Sequence, residues 1–502
     1  MPEAVTTLVG ALALLGPKAE RSDGLVDIEI RGDRIVEVKP HGVREPAGQT
    51  IDMRGRLVTA GLINGHHHSH EGFYKGRKDN LPLELWMNYV RPLKPIEYTP
   101  REVYVRTMIG GIEALRSGTT TICDDTNVSP RIRPDYVEAI FQAYEDLGIR
   151  AYVGITLFDR PFFRAVPFVD EEFPAPLLAE LDGTSMYGAD ELLAFVQGLA
   201  RDHHPSTERV AYMAAPSAPQ RCTEDFLLAV RRMADEFDLP VMTHVQETRM
   251  QVVTGQLWHG CTMVEYLDRI GFMKPKTAFI HACWLNPREI EILARTGVTV
   301  QHNPGSNLKV GSGLAPIRAL LDGGVNVSMG TDGCGSIEGT DMQNAVYLAA
   351  LLQKLRGDYT DWVGATEAFD AATMGGARAL GRESELGAIE AGRKADLVAY
   401  RLGSIPFTPL NDPLQQLVYA ASRAEVDLVM VDGAVTLRDG RLTRVNEAAL
   451  LDEIAEAHAR IEPSLSASEA DTERLVEPYR RIWRRCQCID IAPDTYPARF
   501  SH

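Results

Sequence analysis

Leu57-Val-Thr-Ala-Gly-Leu-Ile-Asn-Gly-His-His-His-Ser-His70 decides how this chain is read. An apolar run leads straight into four histidines within five residues. Side chains alternate along a strand, so His66 and His68 leave one face while His67 leaves the other. Two imidazoles on one face at a strand end can grip a single divalent metal, because the neutral ring offers a free lone pair. A His-x-His pair alone is weak evidence, and what recurs further along the chain gives it meaning.

Apolar runs return at Thr119–Cys123, Ala151–Thr156, Val210–Ala215, Pro240–His244, Thr277–His281, Val298–His302 and Val325–Met329. Helical periodicity separates most of them. Thr223–Phe237 is one case, with a Thr in N-cap position and acidic residues in its first turn. Counting the strand that ends at His66 gives eight β/α units, the number a (β/α)8 barrel needs. Open parallel sheets alternate in the same way. The polar residues favour the barrel: nearly every strand ends in His, Asp or Glu, where barrel active sites lie.

Both ends of the chain have a different texture. Val26–Ile30 and Arg34–Val38 flank a Gly-Asp turn, and Val426–Val431 and Ala434–Leu437 flank Asp432-Gly433, a strong hairpin signal. We therefore expect one discontinuous β-sandwich-like domain built from residues 1–56 and 385–445, a barrel over 57–384, and a helical tail over 446–502. Within that tail Ala449–Arg460 reads as helix, followed by a Ser/Glu/Asp-rich patch and an aromatic-basic segment from Tyr479 to His502. Such a tail either wraps the body or clasps a neighbouring subunit.

Composition excludes several classes of partner. The formal net charge of −17 over 502 residues argues against nucleic acid or an anionic membrane surface. No apolar run reaches the roughly 18–20 residues of a membrane span, and the N-terminus lacks the basic region of a signal peptide. Seven scattered cysteines make no disulfide framework. Cys486-Gln-Cys488 has neither the spacing nor the second pair of a zinc or redox motif. The expectation is a cytoplasmic enzyme for a small molecule, assembled as a homodimer or higher homo-oligomer.

Four strand ends carry the chemistry. They supply His66 and His68, then His244 with Glu247 three residues on, then His281, then Asp332 in Met329-Gly-Thr-Asp-Gly333. Imidazoles and a carboxylate suit zinc, or alternatively iron(II), with a position left for water. A metal there brings the pKa of that water towards neutrality. Asp332 can hold the metal and receive the water's proton, Glu247 can protonate a substrate nitrogen or leaving group, and His281 can stabilise developing charge by hydrogen bonding.

In combination these motifs resemble the amidohydrolase superfamily, and most closely its cytosine deaminase-like branch, which includes guanine and adenosine-type deaminases and triazine hydrolases. The matching pieces are Ala60–His68, Thr243–Glu247, Ile280-His281, His302–Asn307 with Gly311–Pro316, Gly330–Gly333 and Gly387–Leu397, so that the resemblance spans roughly residues 5–445. It implies a metal held by His66, His68, His244 and Asp332, with Glu247 and His281 as acid/base and polarising partners. Binuclear members carry a bridging lysine on strand four. Met213–Pro219 contains none here, which implies one metal.

The resemblance also marks candidate substrate contacts: His70, Glu84, Trp86, Ser217, His302 and Asn307. Phe73, Tyr74, Phe158, Trp258 and Trp284 are further aromatics expected to shape the pocket. Two departures stand out. Ser217 takes a place where many relatives with purine-like substrates have His, and Gly65 replaces a usual Thr or Ser. The expected reaction is deamination of a small N-heterocycle, whether purine-, pyrimidine- or triazine-like. The alternative is hydrolysis of an open amide, arylurea or carbamate. A non-catalytic scaffold of the same fold is the remote third reading.

Overall fold

A computed structural model describes residues 4–91, 96–128, 131–183 and 187–499. Its barrel strands are β1 (Leu62–His67), β2 (Thr119–Thr126), β3 (Arg150–Leu157), β4 (Val210–Tyr212, resuming at Ala215–Pro216), β5 (Val241–Val245), β6 (Thr277–His281), β7 (Thr299–His302) and β8 (Val327–Met329). β1 to β4 pair in parallel, as do β5 to β8. The two halves meet where Ala214 bridges Val241, and again where the Asp332 amide donates to the His66 carbonyl at 2.9 Å. The sheet is thus closed on itself, with helices outside, as the alternating pattern requires.

The terminal strands form one sheet, as the hairpin signals imply. Leu397–Arg401 runs antiparallel to Arg56–Ala60, and this pairing sews the two ends of the chain together. Asp432 and Gly433 take φ of 48° and 74° between Val431 and Ala434, the left-handed pair that a two-residue hairpin demands. The boundary at residue 57 needs correction. Leu57–Ala60 belongs to this sheet rather than to the first barrel strand, and Gly61 separates the two. An unbroken apolar run hides the change of domain, because both strands are buried.

The tail wraps the body of its own chain. A single helix of 41 residues, Glu447–Gln487, replaces the expected short helix and polar patch, with Pro463 and Pro478 inside it. Leu450, Ala457, Ile461, Leu465, Leu475, Tyr479, Ile482 and Cys486 make a buried stripe along it. Acids of the patch answer barrel arginines: Glu462 and Glu469 each lie 2.6 Å from Arg77. Tyr479 packs between Phe162 and Phe173, with ring centroids 5.8 and 5.4 Å away. Beyond the helix, the Tyr496 amide donates to Leu285, and Ala498 accepts from the Leu314 amide at 2.8 Å. No helix among the described residues is long and apolar enough to cross a membrane.

Candidate metal centre

The strand ends bring the expected histidines together. His66 lies in β1 with its ring centroid 4.6 Å from that of His68 and 4.9 Å from that of His244. Asp332 Oδ1 stands 3.6 Å from His66 Nε2 and 3.4 Å from His68 Nε2. His66 with His68 and Asp332, and His66 with His244 and His281, each present ligand atoms within 4.8 Å of one another.

Backbone carbonyls set the ring orientations. His68 Nδ1 donates to the Asp125 carbonyl at 2.6 Å, and His244 Nδ1 to the Ser217 carbonyl at 2.7 Å. Each bond fixes the proton on Nδ1 and leaves the Nε2 lone pair for the centre. Among the described residues, neither ring nitrogen of buried His66 has a hydrogen-bond partner. Burial and the neighbouring imidazoles hold His66 and His244 well below the ordinary histidine value, and burial takes His68 down to about 3. Neutral, converging imidazoles beside a carboxylate are the donor set that a divalent cation fits.

Around this cluster lie the acid/base candidates. Glu247 follows β5, and its Oε1 accepts from Ser312 Oγ at 2.9 Å while Oε2 lies 3.6 Å from His281 Nε2. Burial, reinforced by Asp332, pushes its carboxyl well above the usual range. His281 Nδ1 donates to Asn307 Oδ1 at 2.7 Å, and its Nε2 is 3.9 Å from Asp332 Oδ2. Asp332 Oδ2 accepts from Ser306 Oγ at 2.5 Å. His281 and Asp332 both sit in the left-handed region, with φ of 71° and 74°. Such non-glycine backbone is costly and aims the side chain where strand alternation would not.

The remaining candidates divide. His70 stacks edge-on 5.1 Å from His68 and accepts from the Asn127 amide. Glu84 accepts from Thr248 Oγ1, joining the helix α1 (Leu83–Val90) to the loop after β5. Trp86, on the same helix, is buried near Gly335. Ser217 touches the cluster through its carbonyl, while its hydroxyl accepts from Arg221 at 3.1 Å. Asn307 contacts His281, so it positions a ring as well as facing a cavity of about 1110 Å³ at the barrel rim.

Several expectations fail. His302 lies among the outer helices, where with Ile317, Val327 and Phe369 it lines a cavity of about 260 Å³. Its neighbour Gln301 is the inward residue, because β7 keeps strict alternation to its end. Trp258 is on the surface beside Arg160, and Phe73 packs outward against Tyr98 and His458. Trp284 supports the site from behind, donating from Nε1 to the Ser312 carbonyl at 2.9 Å. His67 faces outward as expected, with Gly110 of the helix Pro100–Arg116 against its ring.

Sequence reasoning missed Asp125 and Glu71. Asp125 ends β2, accepts from Thr156 Oγ1 at 2.6 Å, and is pushed up to about 7 by burial. Its position after Thr-Ile-Cys-Asp was the available signal, since it repeats the polar strand-end rule. Glu71 accepts from the Gly335 amide at 3.0 Å and is pushed up to about 8 by burial and Asp332.

The amidohydrolase family model matches residues 57–436. A 5'-deoxyadenosine deaminase from Methanothermobacter thermautotrophicus is 34% identical over 452 residues, covering 89% of this chain and 98% of its own. A 5-methylthioadenosine/S-adenosylhomocysteine deaminase from Thermococcus kodakarensis is 34% identical over 414 residues, 82% of this chain and 89% of that one. Among solved structures, a zinc-bound adenosine deaminase from Xanthomonas campestris superposes with a TM-score of 0.81 at 29% identity, covering 92% of this chain and all of that one. Atrazine chlorohydrolase from Arthrobacter aurescens, complexed with zinc, gives 0.82 at 25% identity, with 90% and 100% covered. The motifs, the closed barrel and the family match over most of its length agree: this chain is a member of the amidohydrolase family.

Proposed function

We propose that this protein deaminates a purine-like N-heterocycle, using one zinc ion held by His66, His68, His244 and Asp332. The observation that carries the reading is the pairing of Glu247 with the metal cluster. Burial raises the Glu247 carboxyl above its usual range, which suits a proton donor, and Glu247 stands 3.6 Å from His281 Nε2. The metal, when bound, supplies activation of the attacking water. Asp332 takes up the proton that this water gives off, with Ser306 steadying its other oxygen. His281 keeps the Nε2 lone pair turned to the same space because Asn307 holds Nδ1. Glu247 then protonates a ring nitrogen as the hydroxyl adds to the ring carbon. The proton taken up by Asp332 passes to the amino group, and ammonia leaves as the carbonyl forms and returns a proton to Glu247. Relatives named as deaminases of adenosine-type compounds support the heterocycle.

The test is a panel of aminopurines, aminopyrimidines, aminotriazines, arylureas and carbamates, read for ammonia and for released amine separately. Ammonia from aminopurines is expected. Amine release from an open urea or carbamate, without ammonia from any ring, would move the protein to the second reading, which Ser217 favours.

A further inference from the structure

Two segments hold Glu247, and the stretch beyond the long terminal helix touches both. On one side the chain passes from Glu247 through Thr248 into the helix Arg249–His259. On the other, Ser312 Oγ donates to Glu247 Oε1 at 2.9 Å. Arg249 reaches the end of the terminal helix, its Nε donating to the Cys486 carbonyl at 3.2 Å and its Nη2 to that of Ile489 at 2.6 Å. Met250 and Val253 of the same helix pack with Tyr479, Ile482 and Cys486 in one buried cluster. The element that follows Glu247 is thus fastened to residues 237 positions further along the chain.

The loop that carries Ser312 is fastened by residues 497–499. The Leu314 amide donates to the Ala498 carbonyl at 2.8 Å. Arg356 Nη2 donates to the Leu314 carbonyl at 2.9 Å and also to that of Pro497, and Arg499 donates to the Gly311 carbonyl. Gly313 has φ of 131°, and a Cβ there would stand 2.7 Å from the Ala498 oxygen, so glycine is what lets the tail approach. Ala498 itself is 2% exposed and packs in one cluster with Val252 of the helix Arg249–His259 and with Trp284. Trp284 in turn donates from Nε1 to the Ser312 carbonyl. All of these tail residues lie beyond residue 436, where the match to the family model ends.

We propose that Ala498 is a positioning residue for Glu247. By tying the loop at 311–314 to the helix Arg249–His259, it fixes the Ser312 hydroxyl against Oε1 and leaves Oε2 turned towards His281. The inference rests on the reading of Glu247 as proton donor, and not on which group leaves the substrate. Precision of this kind counts, because a misplacement of about 1 Å can cost a reaction about 10²-fold.

The experiment uses the full-length, metal-loaded protein and whichever compound of the substrate panel the parent turns over. Ala498→Asp puts a charge into an apolar pocket and so expels the segment, whereas Ala498→Gly keeps the carbonyl that binds Leu314. Ala498→Asp is expected to lower kcat about 10–100-fold, with KM changed less than about threefold and metal content at the parent's level. Ala498→Gly is expected to stay within about twofold of the parent. Amide hydrogen exchange at Leu314 is expected to quicken about tenfold or more in Ala498→Asp only. The deciding comparison is with Ser312→Ala. If the tail acts through that hydroxyl, the two substitutions share one effect, and Ala498→Asp should cost less than about twofold in the Ser312→Ala background.

Unchanged exchange at Leu314 would show that Ala498 does not hold the loop and would overturn the proposal. So would a parent-like kcat in Ala498→Asp, or an equal loss with and without the Ser312 hydroxyl. Loss of metal in Ala498→Asp would overturn it too, since the tail would then support the whole centre rather than position Glu247. Full activity in Glu247→Gln would overturn the donor reading underneath; lost activity there, with additive effects at Ala498 and Ser312, would overturn the positioning alone. Should Ala498→Asp fail to fold, Arg356→Met removes the donor that Leu314 and Pro497 share and takes its place in every comparison.

Discussion

His281 Nδ1 donates to Asn307 Oδ1 at 2.7 Å, so a residue 26 positions along the chain fixes which nitrogen of His281 faces the metal cluster. With Nδ1 committed, Nε2 presents its lone pair towards Asp332 and Glu247. Asn307→Ala frees the ring and its tautomer. We expect kcat to fall about 10–100-fold, the usual effect of removing a partner that orients a site imidazole. Metal content near the parent's, with KM changed less than kcat, distinguishes loss of orientation from loss of the site. An unchanged kcat would show that the left-handed backbone at His281 orients the ring by itself.

The metal is expected to act as part of the fold as well as of the chemistry. Three low-pKa imidazoles and Asp332 face one another in a buried centre, and among the described residues neither nitrogen of His66 has a hydrogen-bond partner. Chelation should lower the unfolding midpoint. Zinc at about a thousand times its Kd should restore roughly 4 kcal/mol. Elemental analysis should give one equivalent of metal per chain, and His66→Ala with His244→Ala should abolish its retention. A stoichiometry near two would mean that Asp125, which groups with His68 and His244, holds a second ion.

Gly65 and Gln301 form a compensating pair. A Cβ at Gly65 would stand 2.3 Å from Gln301 Oε1, so the amide fills the space that a side chain at residue 65 would need. Gly65→Ser should therefore cost about 1–3 kcal/mol through overpacking. Gly65→Ser with Gln301→Ala should recover most of that loss, and the double-mutant cycle should show coupling well above 0.5 kcal/mol. Additive losses in denaturant unfolding would mean that the two sites do not share this space.

Much of this is legible in the sequence. Strand alternation sorts His66 and His68 from His67, and polar residues at strand ends locate the catalytic face. What stayed hidden follows from two causes. Alternation fails where the backbone turns left-handed, as at His281 and Asp332, and it misleads where a motif match overrides it, as at His302, which points outward because Gln301 points in. The long terminal helix exceeds the sequence expectation because Pro463, Pro478 and a run of Ser and Glu argue against helix locally. Packing of Tyr479 and the ion pairs to Arg77 outweigh that propensity.

Glu247 ties the sequence most directly to the reaction. Its Oε1 accepts from Ser312 and its Oε2 points to His281, so Glu247→Gln preserves size and can keep the Ser312 bond while losing the acidic proton. Metal content and unfolding midpoint should stay at the parent's level. The rate on an amine-bearing heterocycle should fall about 10²–10⁴-fold, the range for a positioned general acid/base. The loss should be about as large for the same ring carrying chloride, because the ring nitrogen must be protonated whichever group leaves. A loss confined to the amine would instead assign Glu247 to protonating the leaving group. Metal loss in the Gln variant would make Glu247 a structural support of the cluster, because a neutral amide weakens a cation site only where the carboxylate charge had helped to hold the ion.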